Sequence, residues 1–367
     1  MNRNERLTQD YSTWGDKLLQ HTDVLNSIQE DRRFKPITVQ LAPVEACDSD
    51  CPFCSVAGRP MKHVMPFDTL ERTLTDFRSL GAKSVEITGG GNPMLYRDRV
   101  RGKNINNIIE VAAGLGLDIG IITNSHDLSR LDPNLYDYIN WIRVSLIKLD
   151  EGVDPQDYNF NGFPEDKLGF SYIFYETDGN PDPLSKTRRA YEGTNAETIR
   201  RIVELVRLHP KVKFVRTAGN CLIKGNNAVA RQQYQAVIDE VDTDGKFFIK
   251  DIDTNDSAFD DGCYVGMTRP YITSSPIPDS QDYMVYICTS HVLNRRTYDL
   301  DFALCKVEDI TSTYQRLNER FVETGHPYEV NGNGGQRWSE TCQYCFYYNN
   351  NRLLHTVARE MPDKNFP

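Results

Sequence analysis

The chain has 367 residues, 39% of them hydrophobic and 26% charged, with a formal net charge of −10. That length suits one large α/β domain with a smaller appendage. The composition is that of a folded globular chain, and the acidity argues against a nucleic-acid partner, because phosphate binding needs clustered Lys and Arg. Local basic pairs such as Arg188-Arg189 and Arg295-Arg296 read as solvated surface charge. No apolar run approaches the roughly 20 residues of a membrane helix. The opening MNRNERLTQDYSTW lacks the apolar core of a signal peptide, so the expected location is cytoplasmic, without membrane contact.

Residues 1–35 read as a polar, partly helical lead-in. ITVQLAP (37–43) is short, apolar and β-branched, as a strand is. Apolar positions at helical spacing predict a helix over 67–80, stopped by Gly81. Strand-like segments follow at 84–88, 118–123, 142–147, 168–175 and 211–217, with helix-like segments at 104–115, 196–208 and 228–241. Strands alternating with helices imply βα units and a parallel sheet. Six such units, over residues 36–244, predict an α/β fold built on a partial (β/α)6 TIM-like barrel, with ligands at the C-terminal ends of its strands. Segments 149–166 and 177–194, rich in Asp, Gly, Asn and Pro, read as loops at the barrel mouth.

After residue 244 the pattern changes. FFIKDID and YMVYIC read as strands and VEDITSTYQRLNERF as a helix. This predicts a small α+β module over 245–350, followed by a tail at 351–367.

Nine cysteines give the sequence its chemistry. In a reducing compartment, tightly spaced thiols read as metal or cluster ligands. Cys47, Cys51 and Cys54 are spaced C-x3-C-x2-C. Three thiolates can hold three irons of a [4Fe–4S] cube and leave the fourth iron open. The same residues with His63 could instead make a tetrahedral zinc site. Gly89, Gly90 and Gly91, followed by Asn92 and Pro93, end the second strand, where glycines allow close backbone approach. Asn124 ends the third strand, and Arg143 and Ser145 share one face of the fourth. In the C-terminal module Cys288, Cys305, Cys342 and Cys345 offer four thiolates to a second cluster or to one zinc ion. Cys221, in an apolar run, reads as a small buried hydrophobe.

The C-x3-C-x2-C string directly after a first strand resembles the signature of the radical S-adenosylmethionine (SAM) superfamily. That resemblance implies that the open iron is chelated by SAM, and that SAM is cleaved reductively to methionine and a 5′-deoxyadenosyl radical, which takes hydrogen from a substrate. It places Phe53, just before the third cysteine, near the adenine. The segment Gly89–Pro93 resembles the family's Gly-Gly-Glu-Pro element, which binds the methionine amino group. Asn92 stands here in place of the acidic residue and offers an amide oxygen without the charge. The resemblance further implies that Asn124, Arg143 and Ser145 reach the SAM carboxylate and ribose, and that Asn220 opens a segment closing over the adenine.

The second cysteine group resembles the Twitch domain, a shortened relative of the SPASM domain, and implies an auxiliary [4Fe–4S] cluster, two in all. The glycine usual between its first two cysteines is absent. Cys263 would be a hydrogen donor of the kind radical SAM epimerases use. An electron donor such as flavodoxin or ferredoxin is the implied partner. The expected substrate is a small polar metabolite undergoing oxidation or rearrangement, or else a ribosomal peptide being crosslinked or epimerised. A reading from another class is a non-catalytic zinc-binding protein.

Overall fold

The computed structural model describes residues 3–12, 15–176, 193–220, 228–241, 245–250, 263–275, 277, 280–289, 300, 303–328 and 347–359. Its strands in chain order are β1 (Thr38–Leu41), β2 (Ser84–Ile87), β3 (Arg97–Asp98), β4 (Lys103–Asn104), β5 (Asp118–Thr123), β6 (Ile139–Ser145), β7 (Leu168–Phe174), β8 (Val215–Gly219), β9 (Phe247–Ile249), β10 (Tyr271–Ser274), β11 (Tyr283–Tyr286) and β12 (Ala303–Lys306). β3 and β4 form a small hairpin. The other ten make one sheet, ordered β12-β11-β10-β1-β2-β5-β6-β7-β8-β9. From β10 to β9 all neighbours are parallel, while β11 and β12 are antiparallel additions. The α/β partial barrel expected from the sequence is therefore present, with more strands than six βα units supply. Phe247–Ile249, read from sequence as part of the C-terminal module, pairs in parallel with β8. β10 to β12 extend the same sheet from the free side of β1.

The helices form where the periodicity places them. In Phe67–Ser79 the buried side chains Phe67, Leu70, Leu74 and Phe77 make one stripe, and Gly81 takes the left-handed conformation, φ 111°, that ends the helix. Ala196–Leu208 starts on the Asn195 side chain, which accepts from Thr198 N at 2.9 Å. The strand expected at 211–217 is formed at Val215–Gly219. Its bonding to β7 starts earlier, with Lys213 N donating to Leu168 O and Phe170 N to Phe214 O, both at 2.9 Å.

Each parallel strand turns one face to the helices and the other to the barrel lumen. Val39, Val85, Ile119, Ile121, Ile142 and Val144 are fully buried in the helix-facing core. The opposite face carries Thr38, Ser84, Glu86, Trp141 and Arg143, which border a lumen cavity of 440 Å³. Trp141 fits there because its register partner is Gly120; a Cβ at Gly120 would lie 2.2 Å from the indole ring. The floor of the cavity is laid by the lead-in, through Tyr11, Ser12, Lys17 and His21. The lead-in also covers the edge of the sheet. Asn4 donates to Ile249 O at 3.0 Å and accepts from Ile249 N at 2.9 Å, occupying the bare backbone of β9.

Candidate functional site

The three N-terminal cysteines lie on one loop that leaves the C-terminal end of β1. The loop is pinched at its root. Val44 and Val64 form an antiparallel bridge, Glu45 N donates to His63 O at 3.0 Å, and Met65 N donates to Pro43 O at 2.9 Å. Inside the loop runs the buried Arg59. Its guanidinium donates to Glu45 O at 2.8 Å, Val56 O at 2.9 Å and Cys54 Sγ at 3.2 Å. From the other side Lys148, also buried, donates to Asp48 O at 3.0 Å and to the Glu151 carboxylate at 2.8 Å.

The glycine segment after β2 lies against the loop root. Gly91 N donates to Val44 O at 3.0 Å and Asn92 N to Ala46 O at 2.8 Å. A Cβ on Gly90 would stand 1.7 Å from a Glu45 carboxylate oxygen, and one on Gly91 would stand 1.9 Å from Ala46 O. The close backbone approach read from the sequence is thus an approach to the protein's own cysteine loop. Glu45 is fully buried and fixed from β10, accepting from Thr273 Oγ1 at 2.6 Å and Ser274 Oγ at 3.0 Å.

Asn92 is fully buried. Its amide oxygen accepts from Met94 N at 3.1 Å and Thr123 Oγ1 at 2.7 Å, while its Nδ2 donates to Asp48 Oδ1 at 2.9 Å. Both lone pairs of the amide oxygen are therefore used inside the protein, and the carboxylate presented at this place belongs to Asp48. Asn124 reaches the same loop, donating to Ser49 Oγ at 2.7 Å and approaching Cys47 Sγ at 3.7 Å. Ser145 ends β6, and Asn220 follows β8, its N donating to Phe174 O at 3.0 Å. Arg143 stands two residues below Ser145, inside the lumen.

The donor set fits an iron–sulfur cluster. Burial pushes the Cys47 and Cys51 thiols up, and the neighbouring cysteines push them further, so the three side chains feel one another's charge. Among the described residues no three His, Cys, Asp or Glu side chains converge on the position of a single ion. His63 is buried, with Nδ1 unpartnered among the described residues.

Phe53 sits beside Tyr175, ring centroids 5.1 Å apart, in an apolar patch with Ile147 and Cys51. Behind the patch Asp150 accepts from Tyr175 Oη at 3.2 Å and from Tyr172 Oη at 3.1 Å. Burial pushes its carboxyl up to about 7, against the opposing pull of the Tyr172, Tyr175 and Thr198 hydrogen bonds and of the Arg201 charge. The folded state therefore holds a proton that the unfolded chain releases near pH 4, so stability falls as pH rises from about 4 to 7. Asp150→Asn should gain on the order of 2 kcal/mol over the wild type at pH 8 and nothing at pH 4. Parallel denaturation profiles for the two proteins across this range would refute the assignment.

In the C-terminal part, Cys263 and Cys288 share an apolar cluster with Val265, Ile287 and Tyr347. Cys305 pairs in register with Val285, and its thiol, pushed up to about 11 by burial, bonds towards Thr313 of the helix Ile310–Thr324. The structure thus brings Cys288 to Cys263. Cys342, Cys345 and Cys221 lie outside the described residues.

Sequence reasoning singled out the cysteines and glycines but missed Glu45, Asp48, Arg59 and Lys148, which hold the loop. Glu45 carried a signal, an acidic residue two places before Cys47 in an otherwise apolar stretch. Arg59 and Lys148 act through contacts that local spacing does not reveal.

Residues 41–151 match the Radical SAM superfamily. The matched stretch runs from the end of β1 through the cysteine loop, the glycine segment and β6. The chain thus carries a radical SAM region over somewhat less than a third of its length, and that family implies a [4Fe–4S] cluster and SAM. It is similar to the GTP 3′,8-cyclase of Staphylococcus epidermidis, 27% identical over 147 residues, 37% of this chain and 42% of that protein. It is also similar to the GTP 3′,8-cyclase of Staphylococcus aureus, 30% identical over 133 residues, 33% of this chain and 37% of that protein. The chain therefore spans less than half the length of these curated relatives. Among solved structures, the SAM-bound SuiB of Streptococcus suis shares the fold, with a TM-score of 0.50 and 17% identity over 88% of this chain and 72% of that one. No described helix is long and apolar enough to cross a membrane.

Proposed function

We propose that this enzyme cleaves SAM reductively and uses the resulting 5′-deoxyadenosyl radical to take hydrogen from a small polar metabolite, which is then oxidised or rearranged. The observation that carries this reading is the pinched loop that holds Cys47, Cys51 and Cys54 at the C-terminal end of β1, with the glycine segment packed against its root. When bound there, the cluster supplies the electron that breaks the SAM carbon–sulfur bond. The chain's own residues bind and orient. Phe53, backed by Tyr175, offers an aromatic face for the adenine. The backbone of Gly89, Gly90 and Gly91 and the Asp48 carboxylate, held by Asn92, suit the methionine amino group. Asn124, Ser145 and Asn220 line up at the strand ends for the ribose and carboxylate.

Cys288, Cys305, Cys342 and Cys345 are the proposed ligands of an auxiliary [4Fe–4S] cluster in a Twitch-like module, and flavodoxin or ferredoxin the proposed electron donor. Cys263 is the candidate hydrogen donor should the reaction end in epimerisation. A small polar substrate is favoured by the charged side chains inside the barrel, and the curated relatives are named for the cyclisation of GTP, itself a small polar molecule.

The test is anaerobic purification and reconstitution. A brown protein that releases 5′-deoxyadenosine from SAM on reduction is expected. A colourless protein carrying zinc and leaving SAM intact would refute the reading.

A further inference from the structure

The lumen holds more positive than negative charge. Glu86 is paired: its carboxylate accepts from Arg269 at 2.9 Å and from Gln40 Nε2 at 2.7 Å. Burial alone would raise it, but Arg269 and Arg143, with the Gln40 amide, hold it below the usual carboxylate range. Two more guanidiniums remain. Arg143 on β6 borders the cavity, its Nε has no hydrogen-bond partner, and no carboxylate lies within ion-pairing distance of it among the described residues. Arg216 on β8 is likewise half-buried and without an ion pair among the described residues. Burial and the charge of Arg143 both disfavour the charged form of Arg216. On the strand between them, β7, Gly169 is the register partner of Arg143 and is covered by the Phe214 ring, and Ser171 is the register partner of Arg216. Two partly buried guanidiniums of like charge, on either side of Ser171 and with only the Glu86 carboxylate among the described residues to offset both, are better satisfied when an anion meets them. They are the donor set of an oxyanion site, since guanidinium forks match carboxylate and phosphate oxygens.

We infer that Arg143 and Arg216, with Ser171 between them, form an anion-binding subsite that takes a carboxylate or phosphate of the substrate. This deepens the proposed function, on which it rests, by naming the substrate's chemical class: a metabolite with an oxyanion group that reaches down into the lumen while its reacting carbon stays near the cysteine loop. It also assigns Arg143 to the substrate, where the family pattern would give it to SAM.

The test uses the reconstituted full-length protein saturated with SAM. Inorganic phosphate and succinate are titrated separately by calorimetry into the wild type, Arg143→Gln, Arg216→Gln and the two Lys variants. One of the two anions should bind the wild type, and which one does distinguishes a phosphorylated from a carboxylated substrate. Each Gln variant should bind it at least tenfold more weakly, and the Lys variants, which keep the charge but lose the fork, should fall between. Without anion the Gln variants should melt at or above the wild-type temperature, since the repulsion between the two guanidiniums has gone. The inference is overturned if neither anion binds the wild type, if the Gln variants bind as well as it does, or if Arg143→Gln loses SAM affinity while keeping the anion. A protein that cleaves SAM but binds no oxyanion defeats this inference alone. One that binds oxyanion but leaves SAM intact defeats only the proposed function.

Discussion

If the proposed function holds, Cys51→Ala should yield a folded protein that has lost its iron and cleaves SAM at least on the order of 10³-fold more slowly, since every productive turnover would pass through the group its thiol is proposed to hold. The fold should persist because the cysteine is not what closes its loop. The Val44–Val64 bridge and the Arg59 contacts to Glu45 and Val56 do that. Without iron, Cys51 is a half-buried thiol packed near Phe53 and Tyr175, and trimming it to Ala costs little packing. The same loss should follow at Cys47 and Cys54, whose charges act on Cys51. The check is iron content, the visible absorption band and 5′-deoxyadenosine yield, beside a melting curve of the metal-free protein. A Cys51→Ala protein that keeps a full cluster and normal SAM cleavage would remove this loop from the chemistry.

Gly91→Ala should be a strongly damaging single methyl addition at the site. The new Cβ would meet a backbone carbonyl, Ala46 O, at 1.9 Å, and backbone gives way only by shifting the loop root. That shift strains the bonds from Gly91 N to Val44 O and from Asn92 N to Ala46 O, one residue before Cys47. A loss of roughly 2–4 kcal/mol in stability is expected, the upper end of overpacking plus two strained hydrogen bonds. SAM affinity should fall with it, because the cysteines move relative to the glycine backbone. Gly114→Ala is the matched control. It lies at the end of the helix Ile105–Gly114 with nothing within 4 Å of where the added methyl would stand, so the expected change is a gain of about 0.5–1 kcal/mol. Urea denaturation and SAM titration of both variants settle it, and equal behaviour would show that the glycine segment does not press on the loop.

The parts of this enzyme that follow local rules were legible in the sequence. The helix over 67–80 follows from its apolar stripe and from Gly81, and the cysteine loop from ligand spacing directly after a β-branched run. The placement of Asn124 and Ser145 at strand ends follows from period-two alternation. What was not legible depends on partners far along the chain. β9 and β10 are three- and four-residue segments whose membership in the sheet is decided by β8 and β1, not by their own pattern. Arg59 and Lys148 look like ordinary surface charges until folding buries them around the loop. Asn92 shows the limit most clearly. Its substitution for an acidic residue was readable, but the saturation of its amide oxygen by Met94 and Thr123 and its grip on Asp48 were not.

The clamp that Asn4 places on β9 joins residues 245 positions apart, and β1, the strand that launches the cysteine loop, completes its pairing only with Gln40 against Tyr271. During synthesis the most reactive segment must therefore wait, with one flank of its supporting strand bare, until most of the polypeptide has left the ribosome. Such delayed, long-range closure makes folding slow. It also means that iron delivered early meets three loose thiols, while iron delivered late meets a finished socket, so the timing of metal supply bears on how much of the protein matures.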